Sequence, residues 1–186
     1  MKTGPISFVS GKSHLVVLAL CGLLLLLHGG SLCAHQAAPP DWSGCDFLVG
    51  EWIGEGGGMP GEAAGGFTLA YDLQKTILVR KNFADYPATK ERPAFRHDDL
   101  MVMYQEAGKI RAVYFDNERH VIHYNVAVAK ESSSIVFLSD PDPSAPRFRM
   151  TYTRDSDRKV RILFEIAPPG KPEAFSKYIE ASARRK

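Results

Sequence analysis

Histidine, cysteine and tyrosine are the side chains here with most chemistry to offer, and they are sparse and scattered. His120-Val-Ile-His123 has the composition of a metal-binding pair. Residues three apart share a face on a helix but point to opposite sides of a strand, so the pair meets one ion only in a helix. His97-Asp98-Asp99 also carries ligand-type side chains, yet it follows Lys90-Glu-Arg-Pro-Ala-Phe-Arg96, which reads as a surface loop. A solvated charge cluster is the expectation there. His97 and His120 are the candidate general bases if the chain is an enzyme. Cys45 sits in Cys45-Asp-Phe-Leu-Val, an apolar setting that suits a small buried side chain better than a nucleophile. Gly54-x-Gly56-Gly-Gly58 resembles a phosphate loop only superficially, because no Lys-Ser/Thr follows and no helix begins there. No nucleophile-elbow motif occurs. Nothing in this inventory demands catalysis.

Whatever these residues do, β-strands must position them. Beyond residue 50 the chain repeats runs of six to ten residues rich in Val, Ile, Tyr, Phe and Thr, alternating with period two. In Lys159–Ile166, Val160, Ile162, Phe164 and Ile166 share one face; in Arg147–Arg154, Phe148, Met150 and Tyr152 do. His120, Ile122, Tyr124, Val126 and Val128 make another face, and Phe67, Leu69, Tyr71 and Leu73 another. The runs predict about ten strands: 51–57, 66–73, 76–83, 99–105, 109–115, 120–129, 134–139, 147–154, 159–167 and 175–184. Only Trp42–Val49 has the makings of a short helical turn, a plug or lid before the first strand.

The first 33 residues are a different material. Lys2, Lys12 and His14 precede thirteen uncharged residues, Leu15–Leu27, and small residues lead on to Ala34. This is the layout of a secretory signal peptide. Thirteen helical residues reach about 20 Å, short of a hydrocarbon core of roughly 30 Å. The expected division is a signal peptide over 1–34, a flexible lead-in over 35–41 and one barrel domain over 42–186. Localisation is then periplasmic or secreted, with the leader either removed or lipidated at Cys33. The leader also accounts for the formal charge of +2: without Lys2 and Lys12 the remaining 21 basic residues balance 21 acidic ones. A neutral mature chain has no bulk field for a nucleic-acid backbone or an anionic membrane, so neither is an expected partner. Cys21 and Cys33 belong to the leader, so Cys45 has no partner for an internal disulfide, and the core alone must hold the domain.

Short connections such as Gln74-Lys75, Glu106-Ala-Gly108 and Asp116-Asn-Glu118 pair each strand antiparallel with the next. The predicted fold is all-β: an antiparallel up-and-down, calycin-like barrel of about ten strands, which leaves no open sheet edge. A two-sheet sandwich is the alternative. A barrel of this size has room for one small ligand. The candidate cavity set is Trp52, Phe67, Leu69, Ile122, Phe148 and Phe164, with polar tips from Tyr71, Tyr104, Tyr114, His120, Tyr124 and Tyr152. That mixture suits a small hydrophobic molecule fixed by one or two hydrogen bonds. A filled interior whose tyrosine hydroxyls reach the rim is the plainer reading.

Phe47-Leu-Val-Gly-Glu-Trp-Ile-Gly-Glu-Gly56 places Gly50, Trp52, Gly54 and Gly56 in a Gly-x-Trp-x-Gly-x-Gly pattern. It resembles the opening of the nitrobindin-like and related calycin-type (lipocalin-like) bacterial barrels. Tyr114-Phe-Asp-Asn117 and the closing Glu180-Ala-Ser-Ala-Arg184 are similar in the same sense. The resemblance runs over residues 42–186 and implies a ten-stranded barrel of an exported branch with no assigned activity. Nitrobindins hold haem iron through a histidine on the last strand, with nitric-oxide or peroxynitrite chemistry to follow. This chain has no histidine after His123, and its closing strand offers Tyr178 as the one side chain able to ligate ferric haem as tyrosinate. No cofactor is therefore expected, and haem is the one the resemblance raises. Determining the N-terminus of the exported protein checks the leader: a start near Cys33 or Ala34 is expected, and Met1 retained on an exported protein contradicts it.

Overall fold

The structure is a computed structural model that describes residues 40–55, 64–129, 131 and 133–186. The expected leader, most of the lead-in, and Gly56 to Gly58 lie outside the described residues.

Alternating strands joined by tight turns close into a barrel. Ten strands follow one another: β1 Gly50–Glu55, β2 Ala64–Asp72, β3 Ile77–Tyr86, β4 Phe95–Glu106, β5 Lys109–Asp116, β6 Val121–Ala129, β7 Ser134–Ser139, β8 Arg147–Ser156, β9 Lys159–Ala167 and β10 Ser176–Arg185. Each pairs antiparallel with its neighbour, and β10 closes on β1 through Trp52↔Arg185 to Glu55↔Ser182. Every edge is thereby satisfied.

The turns have local causes. Glu106 and Lys109 face each other across Ala107-Gly108, whose φ values of 48° and 75° match the twist of the flanking strands. Asp116 Oδ1 accepts from the backbone N–H groups of Glu118 (3.0 Å) and His120 (2.9 Å), which folds the chain from β5 into β6. Leu73, Gln74 and Lys75 take positive φ after Asp72, whose carboxylate accepts from the Leu73 N–H at 2.6 Å. This corrects the expected place of Leu73: it is not the last inward residue of β2 but an exposed turn residue, 65% accessible.

The expected helical turn is one 3-10 turn, Asp46–Leu48, and it caps the barrel end where β1 begins and β10 finishes. Cys45 and Leu48 are buried with Trp42, Trp52, Phe67 and Leu69. Each ring so buried takes about 150–250 Å² from water, roughly 4–6 kcal/mol before the entropy of ordering it. Polar groups at this end are satisfied: Trp52 Nε1 donates to the Leu48 carbonyl (2.8 Å) and Trp42 Nε1 to the Lys75 carbonyl (2.9 Å). Arg185 on β10 donates from Nη1 to the Val49 carbonyl (2.7 Å) and from Nη2 to the Phe47 carbonyl (2.9 Å), with its guanidinium 4.6 Å from the Trp52 ring centre. Gly50 makes room for it, since a Cβ there would stand 2.6 Å from Arg185 Nη1 and the residue's φ is +133°.

Two further expectations are corrected. His97-Asp98-Asp99 is not a surface loop, because β4 starts at Phe95 and runs through it. His97, Asp99, Met101 and Met103 fall on one face, and Asp99 is buried. Tyr104 has the opposite parity to buried Met101 and Met103, so it points away from the interior. On β3, Arg80 shares the inward face with Leu78 and is 5% exposed.

Replacing Arg185 by Ala removes three charge-assisted bonds, to the carbonyls of Phe47, Val49 and Asp157, and should cost about 3 kcal/mol. Arg184→Ala, on the exposed face of the same strand, should stay within about 0.5 kcal/mol. Urea unfolding midpoints of the two variants check this.

Candidate functional site

Ten strands are more than side chains fill at the end opposite the plug. There the barrel opens into a cavity of about 610 Å³. Its apolar walls come from the inward positions of β6, β8 and β9, chiefly Ile122, Phe148, Ile162, Phe164 and Ile166. Phe148 and Phe164 stack at 6.0 Å between centroids, and Tyr178 on β10 meets Phe164 edge-on at 6.1 Å. At the mouth Tyr86 stacks on Phe95 at 5.1 Å, with the Arg92 guanidinium 5.3 Å from the Tyr86 ring centre.

Against this apolar wall stands a polar cluster from β3, β4, β5, β6 and β8. Arg80 Nη2 donates to Asp99 Oδ1 and Arg80 Nη1 to the Tyr152 hydroxyl. Asn82 Nδ2 donates to Asp99 Oδ2 at 2.7 Å. His97 bridges depth and rim: Nδ1 lies 2.8 Å from Glu118 Oε1, and Nε2 lies 3.1 Å from the Tyr114 hydroxyl and 3.5 Å from Asp99 Oδ2. Tyr114 in turn donates to Asp116 Oδ2 at 3.2 Å, which also holds His120 Nδ1 at 2.7 Å.

The electrostatics follow from these contacts. Burial opposes the charged form of Asp99, but the Arg80 charge and hydrogen bonds from His97, Arg80 and Asn82 outweigh it and hold the carboxyl at about 2. His97 is raised to about 9, first by its hydrogen bond to Asp99 and then by Glu118, both overcoming partial burial. Burial pushes the Tyr124 and Tyr152 phenols up, so both remain protonated donors. Cys45, in the plug, is pushed by burial to about 12, where a thiol is inert.

The structure brings together eight of the twelve residues expected at the cavity: Phe67, Tyr114, His120, Ile122, Tyr124, Phe148, Tyr152 and Phe164 all line it. His120 does so from the turn before β6, with its ring exposed at the rim rather than inside. Trp52 and Leu69 lie in the packed end, and Tyr71 is tied to Asp46 of the plug. Tyr104 faces outward. The residues that sequence reasoning missed are Arg80, Asn82 and Asp99; His97, a candidate only as a base, joins them in the lining. A signal for them exists: polar residues keep the inward parity of Leu78 on β3 and of Met101 and Met103 on β4, towards one end of each strand.

Among the described residues, no group of three or more histidine, cysteine or acidic side chains is placed to hold a metal ion. Compared with protein-family models the chain matches none, and compared with curated proteins it again matches none.

His97 gives a pH dependence with a definite sign. Its folded value, about 9, lies above the ordinary 6.5, so its stabilising contribution is full below about 6.5 and is lost as pH rises through about 9. An NMR titration of the ring protons should show a midpoint near 9, and Asp99→Asn should bring it down towards 6.5.

Proposed function

We propose that this chain is an exported, non-enzymatic barrel of the calycin type that carries a small hydrophobic molecule in its interior. The observation that carries the reading is the cavity itself, about 610 Å³ of space walled mainly by Ile and Phe side chains and open at one end. Ligand sites of this kind are concave, apolar and furnished with a few convergent polar groups. The layout of residues 1–34 supports export. Burial of the ligand's apolar surface supplies the affinity, and the polar cluster on β3 and β4 orients it.

Two other readings have less support. For a nitrobindin-type haem protein, the described residues fit axial ligation poorly. His97 has both ring nitrogens engaged and is held protonated up to about pH 9, leaving no lone pair for iron. Tyr178 is 57% exposed. For an enzyme at the mouth, the same protonation removes His97 as a base. The dyad of His120 and Asp116 sits on a turn whose carboxylate is already spent on backbone N–H groups.

N-phenyl-1-naphthylamine, an apolar fluorophore, tests the container. A saturable 1:1 enhancement with a dissociation constant of about 1 μM, or some −8 kcal/mol, is expected. Ile162→Trp, which fills the cavity, should weaken binding at least about tenfold, since it excludes the ligand from space it needs. Val121→Ser, on the exposed outer face, should change nothing. Enhancement that fails to saturate, or is the same in both variants, contradicts the reading.

A further inference from the structure

The hydrogen bonds of the cavity do not close. Arg80, 95% buried and lining the cavity, spends Nη1 and Nη2 on Tyr152 and Asp99, while its buried Nε–H has no partner among the described residues. Tyr152, 2% exposed, accepts from Arg80 with its oxygen, and no described residue accepts its proton. Tyr124, 3% exposed and also lining the cavity, has a hydroxyl with no hydrogen-bond partner among the described residues. Burial keeps both phenols protonated. Two O–H groups without an acceptor thus line the cavity, beside the sealed Arg80 Nε–H. The buried carboxylates nearby are engaged: Asp99 takes Arg80, Asn82 and His97, and Asp116 takes Tyr114, His120 and two backbone N–H groups.

Charge separates the possible acceptors. Arg80 and protonated His97 supply two positive charges, against Asp99 and Asp116, each with a side chain 4% exposed, and Glu118, which pairs with His97 at the rim. The carboxylates outnumber the cations, so an anionic head entering the cluster meets two buried carboxylates without a spare cation. The guanidinium fork, the geometry that grips a carboxylate with two parallel bonds, is already taken by Asp99 and Tyr152. A neutral oxygen needs no counter-charge and satisfies donors that otherwise stay desolvated and unpaired.

We infer that the molecule held in this barrel carries a neutral carbonyl oxygen — a ketone, aldehyde or ester — accepting from the Tyr124 and Tyr152 hydroxyls, with its apolar body along Ile122, Phe148, Ile162 and Phe164. This specifies the ligand class of the container proposed above and rests on that reading. Hydrocarbons are under-recognised by this site because they leave the donors unpaired, and alkanoate-type anions are rejected by charge.

Three probes of one shape test it by displacing N-phenyl-1-naphthylamine: 2-acetylnaphthalene, 2-ethylnaphthalene and 2-naphthoate. The ketone should displace the fluorophore at about tenfold lower concentration than the hydrocarbon or the anion, as one or two recovered hydrogen bonds imply. Tyr124→Phe deletes a hydroxyl that no described residue uses, so the fold is kept. It should weaken the ketone about fivefold and leave ethylnaphthalene unchanged, which doubles as the folding control. Equal binding of ketone and hydrocarbon overturns the carbonyl head while leaving the container intact. Tighter binding of naphthoate overturns neutrality. No fluorophore binding at all overturns the container and this inference with it.

Discussion

The barrel depends on a single clasp. A sheet of ten strands becomes a vessel only when its last strand returns to its first and one end is sealed, and Arg185 serves both. It sits in register with Trp52 across the β1–β10 seam and grips the carbonyls of Phe47 and Val49 in the plug. Both bonds are part-buried, so without the guanidinium these carbonyls lose a donor where water reaches them only partly. Gly50 is the local concession that lets the long side chain cross. With that end packed by Trp42, Cys45 and Leu48, the free volume of the barrel is displaced to the opposite mouth.

The interior charges make sense only against that arrangement. A buried ion pair such as Arg80–Asp99 adds little stability over a well-packed apolar pair, because desolvation consumes most of the Coulombic gain. What it does supply is direction. Asp99, held between Arg80, Asn82 and His97, pins the guanidinium, which in turn holds the Tyr152 hydroxyl at the cavity wall. A preorganised donor set costs a ligand less ordering than a flexible one. The same polarity that would weaken a filled core is the feature that separates this cavity from a packing defect, which would be apolar and without unspent donors.

Much of the fold was legible in the residues. Period-two alternation in β8 and β9 puts Phe148, Tyr152, Ile162 and Phe164 on the inner face, because charged or polar residues occupy most of the intervening positions. The same logic failed on β4. His97 and Asp99 share the parity of Met101 and Met103, but their polarity marks solvent in a sequence, and so the segment reads as loop. Tyr104 erred in the other direction: its amphipathic ring fits either face, and only the burial of Met101 and Met103 assigns it outward.

What the chain determined by itself is therefore its strand order, its hairpin turns and its inward parity, since each depends on neighbours within a few residues. Tertiary structure alone decided how far along the barrel each inward residue sits and which of them meet. Arg80 finds Asp99 from the adjacent strand, 19 residues on, and Tyr152 from across the barrel, 72 residues on. Parity carries no information about depth, so the packed end that swallows Trp52 and Leu69 and the open end that displays Tyr124 look alike in sequence. They differ because the plug and Arg185 seal one end and leave the other open.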